Sequence, residues 1–66
     1  MKATVNGKPA ELASQTTLAA LLKEMGIEPL MVACEVNEKI VRRKEYAATV
    51  ISEGDRIEIL QMIGGG

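Results

Sequence analysis

MKATVNGKPAELASQTTLAALLKEMG, residues 1–26, decides the fold. Met1, Ala3 and Val5 alternate with Lys2 and Thr4, the period of a half-buried strand. Asn6-Gly7 follows, the dipeptide that accepts positive φ at both central positions of a type I′ hairpin turn. Pro9 to Ala13 then reads as the returning strand, and Pro9 is tolerable there because such a strand starts at or near a sheet edge. From Ser14 the period changes. Leu18, Leu21, Leu22 and Met25 recur at helical spacing, with Thr17 as the predicted N-cap, Thr16 as its substitute, Gly26 as a left-handed cap and Pro29 shortly beyond. No Glu or Gln three residues after Thr17 completes a capping box, so the helix depends on docking its leucine face. A hairpin followed by one such helix needs a sheet to cover.

The remaining chain supplies that sheet. Met31 to Val36 reads as a strand with Val32, Cys34 and Val36 inward and Ala33 and Glu35 outward, and Asn37-Glu38 turns it. Lys39 to Val41 is a short strand, Arg42 to Tyr46 a polar connection or a single helical turn, and Thr49 to Ile51 another short strand. Ser52-Glu53-Gly54-Asp55 is a strong turn signal. Arg56 to Ile63 is the last strand, with Ile57, Ile59 and Ile63 inward and Glu58, Leu60 and Met62 on the opposite face. The order predicts an α+β roll: a mixed sheet of four or five strands with one helix across a single face. A right-handed crossover through the helix lets the first and last strands pair in the middle of the sheet. Residues 1–63 form the expected domain and residues 64–66 a flexible glycine tail.

Sixty-six residues hold one core, and a chain of that size buries too little surface to enclose a deep active site. A hydrophobic fraction of 47% with a net charge of -1 is that of a chain that folds. Histidine is absent, which removes the commonest metal ligand and the acid–base group titrating nearest neutrality. No metal site is expected. Tyr46 is the one aromatic residue, and without basic excess or a stacking platform no nucleic-acid partner is expected. A single cysteine closes no internal disulfide, and the longest apolar runs, such as Leu18 to Leu22, fall far short of a membrane span. The expectation is a cytoplasmic protein, monomeric when free, with no membrane partner.

Gly64-Gly65-Gly66 is the chemically loud feature. Three residues without Cβ add no packing, carry the highest ordering entropy and reach about 10 Å. A backbone without side chains can thread a narrow channel and bring the α-carboxylate of Gly66 to a reactive centre in another protein; the alternative is a frayed end or an expression remnant. A carboxylate is a poor electrophile until its oxygen becomes a good leaving group, most simply by adenylation with ATP. Nothing in the chain resembles a phosphate-cradling loop, so activation must come in trans and no cofactor is expected to be bound.

Several segments together resemble the ThiS family, the small sulfur carriers of thiamine biosynthesis. They are Asn6-Gly7 after a first strand, Thr17-Leu18-x-x-Leu21-Leu22, Val36-Asn37-x-x-Ile40-Val41-x-Arg43-x-x-Tyr46, and Glu53-Gly54-Asp55-x-Ile57-Glu58-Ile59 leading to terminal glycines. The resemblance spans the whole chain and implies a β-grasp, ubiquitin-like fold. It also implies that Gly66 is acyl-adenylated by an E1-like adenylyltransferase and converted to a thiocarboxylate with sulfur from a persulfide donor, and that thiazole synthase takes this sulfur. On this alignment Gly65 and Gly66 match the family's terminal pair and Gly64 a position that varies among small residues. Arg42 departs from the pattern, standing where many members have proline. Rival readings are a carrier for molybdopterin or another sulfur pathway, a ubiquitin-like modifier attacked by lysine, and a plain β-grasp binding module.

Leu60 and Met62, apolar on a face opposite the helix and close to the tail, are candidates for docking the activating enzyme, against cover by a loop or self-association. Cys34 invites a sulfur-handling role, yet its alternation with Val32 and Val36 makes it core filler. Arg42-Arg43-Lys44 reads as solvated turn surface, and Glu53, Asp55 and Glu58 either meet a basic partner or keep the surface soluble. Tyr46 pins the polar connection onto the core edge.

Overall fold

The computed structural model describes residues 1–62; Ile63, read above as inward, and the glycines 64–66 lie outside them. The chain opens with strands β1 (Lys2–Val5) and β2 (Lys8–Glu11), paired antiparallel. Asn6 and Gly7 take φ of 51° and 80° in the turn, as the Asn-Gly dipeptide requires. Helix α1 spans Leu18–Glu24. Thr17 caps it, its hydroxyl oxygen accepting from the Ala20 N–H at 3.1 Å, and Gly26 closes the far end at φ 72°. Seven residues are too few for a helix that stands alone in water. Its stability comes from burying Leu18, Leu21 and Leu22 against the sheet.

A 3-10 turn at Pro29–Met31 leads into β3 (Val32–Val36), which pairs antiparallel with β4 (Lys39–Val41) through Asn37 and Glu38, both at positive φ. A 3-10 segment at Arg43–Ala48 then crosses to β5 (Arg56–Gln61). The five strands lie in the order β2-β1-β5-β3-β4. The β1–β5 pairing is parallel and the others are antiparallel. This is the β-grasp, ubiquitin-like arrangement, with the last strand in the centre of the sheet.

The core is continuous across the helix and one sheet face. Leu18, Leu22, Cys34 and Ile57 are wholly buried, and Ala3, Val5, Leu12, Leu21, Val32, Tyr46 and Ile51 complete it. No polar or charged residue is buried among them, so no desolvated charge has to be offset.

Four expectations are corrected. Thr49–Ile51 is not a strand. It makes one isolated bridge, Thr17 to Val50, because its backbone serves the helix entry instead of a sheet: Leu18 N–H donates to Thr49 O and Ile51 N–H to Thr16 O, each at 2.8 Å. Met25 leaves the leucine face and is half exposed, since the helix ends at Glu24. The returning strand β2 covers Lys8–Glu11, and beyond it Leu12 turns into the core. The third strand begins at Val32 because Pro29 draws Met31 into the preceding 3-10 turn. The polar connection after β4 resolves as the helical alternative.

Candidate functional site

The candidate site starts from β5, the strand that runs toward the glycines. Its first half is held on both sides, by β1 through Thr4 and Val5 and by β3 along its whole length. Beyond Ile57, β1 has already turned away. The Asn6 side chain fills the gap, its Oδ1 accepting from the Ile59 N–H at 2.7 Å. Asn37 does the corresponding work at the other end: its Oδ1 accepts from the Arg56 N–H at 2.9 Å and its Nδ2 donates to Asp55 Oδ1 at 2.9 Å. Asp55 Oδ2 in turn accepts from the Ser52 N–H at 2.8 Å, fixing the turn before the strand. Two turn asparagines therefore anchor the central strand to a rigid frame. Neither role was read from the sequence, where both residues registered as turn formers alone.

Leu60 and Met62 lie where expected, on the sheet face away from α1, at 51% and 44% exposure. Ala33 stands directly across from Leu60 in the β3–β5 register. Met31 faces Met62, its carbonyl accepting from the Met62 N–H at 2.9 Å, and is itself half exposed. Ile40, on the same face in β4, is 76% exposed. These residues make an apolar surface beside the end of β5, larger than the pair picked out from the sequence. On the helix side of the same strand end, Asn6, Ile27, Val32, Ile59 and Gln61 line an open groove of about 220 Å³. The tail positions Gly64, Gly65 and Gly66 lie outside the described residues.

Cys34 is in the core. Burial pushes its thiol above the ordinary value of 9.0, with the neighbouring Tyr46 hydroxyl opposing the shift. Burial also raises Tyr46 above 10.0, with Cys34 adding to the rise. Both groups are neutral in the folded protein, so the native state holds protons that the unfolded chain gives up first on raising the pH. Their contribution to stability is complete below the ordinary values and is lost as pH rises through the folded ones. Urea unfolding at pH 7 and pH 10 should show a lower midpoint at the higher pH. Cys34→Ala should lose less of its own stability over that interval than the parent; an equal loss would remove Cys34 as a contributor.

Arg43 departs from the solvated reading of the basic run. Its Nε donates to Pro29 O at 3.2 Å and ties the two 3-10 segments together, next to buried Tyr46. Among the described residues, no three of His, Cys, Asp and Glu come together as metal ligands, and no helix is long and apolar enough to cross a membrane.

Known proteins resemble the chain along its full length. The ThiS family model matches residues 3–66. The chain is 44% identical over all 66 residues to part of the thiazole synthase of Magnetococcus marinus, and 39% identical to part of that of Paramagnetospirillum magneticum. It spans 20% of the length of each of these curated relatives. With the sulfur carrier protein ThiS of Escherichia coli it shares 29% identity, covering 100% of both chains. The crystal structure of the thiamine biosynthesis protein ThiS from Geobacter metallireducens superposes with a TM-score of 0.87 at 33% identity, again over 100% of both chains. The sheet order, the single capped helix and a family match running through the terminal glycines agree: the chain belongs to the ThiS family.

Proposed function

We propose that the chain is a sulfur carrier of thiamine biosynthesis, a protein cosubstrate and not a catalyst. The observation that carries this reading is the family match through residue 66, which aligns the glycine tail together with the fold. In this reading the Gly66 carboxylate attacks the α-phosphate of ATP on an E1-like enzyme, and pyrophosphate leaves. A persulfide sulfur then displaces AMP from the acyl carbon, and a thiol reduces the new S–S bond to leave a thiocarboxylate. Thiazole synthase is the proposed acceptor; two relatives bearing that name contain a stretch similar to the whole of this chain.

The chain's own part is to present the tail from a strand that does not shift. β5 is paired on both sides at its start and tied by Asn6 and Asn37, so the tail's origin is fixed relative to the outer face that meets the enzyme. The test is pyrophosphate release from ATP by a purified E1-like enzyme, which should depend on added carrier.

Two variants check the assignment of roles. Leu60→Asp places a charge on the exposed docking face and should raise the carrier's KM by roughly ten- to a hundredfold with the Tm unchanged. Unchanged kinetics would remove the outer face from docking. Cys34→Ala should still accept sulfur at Gly66, since its thiol is wholly buried; a folded variant that fails to do so would return Cys34 to the chemistry.

A further inference from the structure

One feature of the outer face is unfavourable to the free protein. Glu35 of β3 stands directly opposite Glu58 of β5 in the antiparallel register. Both point away from the helix, because their neighbours Cys34 and Ile57 are wholly buried on the other face. Like charges facing each other across a strand pair, with Cβ atoms about 5 Å apart, are destabilising. Neither carboxylate has a cation of its own: the one ion pair among the described residues joins the Met1 amino group to Glu11. Arg56, two residues before Glu58, makes no such pair.

The two carboxylates also border the apolar surface. Ile40 lies beside Glu35, and the next row inward along β5 is Ala33 with Leu60, followed by Met31 and Met62. We infer that the Glu35–Glu58 pair is the electrostatic half of the docking face, and that the E1-like enzyme sets a cationic side chain over both carboxylates while its apolar surface covers Leu60, Met62 and Ile40. This rests on the carrier reading above. An arginine fits best, because its planar fork of five donors can serve two carboxylates at once. The partner is fixed by reach: Leu60 is six residues from Gly66, so an enzyme holding the Gly66 carboxylate lies within about 20 Å of this face. The repulsion stored in the free carrier is then relieved on binding, which couples recognition to charge as well as to shape.

The experiment compares Glu35→Gln, Glu58→Gln and the double variant with the parent, in thermal unfolding and in ATP–pyrophosphate exchange at low and high salt. The double variant should melt roughly 2–5 °C higher than the parent. Its KM should rise about tenfold at low salt with kcat within about twofold, and the salt dependence of KM should flatten. A KM equal to the parent's, with exchange intact, overturns the inference alone and leaves the pair as solvated surface. A Tm that stays put or falls overturns the stored repulsion. A parent chain that supports no exchange overturns the carrier reading and this inference with it.

Discussion

Deleting Gly66 should abolish ATP–pyrophosphate exchange, lowering it at least about a thousandfold, while the Tm stays within about 2 °C of the parent. The size of the effect follows from geometry. Removing one residue leaves a carboxylate on Gly65, about 3.5 Å short of the position that Gly66 would occupy, and displacements near 1 Å can cost about a hundredfold in a positioned reaction. The unchanged Tm follows from the core, whose last buried residue among those described is Ile57. Adding one alanine after Gly66 should be equally damaging, since it moves the carboxylate by the same step in the other direction. Exchange that survives deletion would mean that the Gly66 carboxylate is not the reacting group.

Ile57→Ala should have the largest effect on folding. Ile57 is wholly buried in β5, opposite Val36 on one side and Val5 on the other. Truncating such a side chain costs about 2–5 kcal/mol, from lost transfer energy and the cavity left behind. At roughly 0.05–0.15 kcal/mol per residue, a chain of this length has only about 3–10 kcal/mol to lose. The variant should therefore melt some 10–25 °C lower, or be unfolded at room temperature. Urea denaturation followed by far-UV circular dichroism measures the loss. A cost below about 1 kcal/mol would contradict a core centred on the last strand.

Much of this architecture is legible in the amino-acid sequence because it is encoded locally. Asn6-Gly7 fixes a hairpin, Thr17 and Gly26 bracket a helix, and strict alternation sorts Cys34 and Ile57 to one face and Leu60 to the other. The errors fall where a distant partner decides. Thr49, Val50 and Ile51 have the β-branched composition of a strand, but their hydrogen bonds go to residues 16 to 18 at the helix entry. The side-chain bonds from Asn6 to Ile59 and from Asn37 to Arg56 span 53 and 19 positions, and no local pattern signals them. The facing of Glu35 and Glu58 is likewise a matter of register between strands, visible only once β3 and β5 are paired.

The candidate site divides the same way. Its chemistry comes from the type and place of three glycines, which the sequence displays directly. The breadth of its docking face does not, because Met31 and Ile40 join Leu60 and Met62 only through the neighbouring strands.

Intact mass spectrometry after incubation with an E1-like enzyme, ATP and a persulfide donor tests the sulfur-carrier assignment most directly. The expected result is the mass increase of one oxygen replaced by sulfur, mapped by fragmentation to Gly66 and absent from a chain extended by one alanine. A chain that remains unmodified, or one recovered joined through Gly66 to lysine side chains, would contradict it.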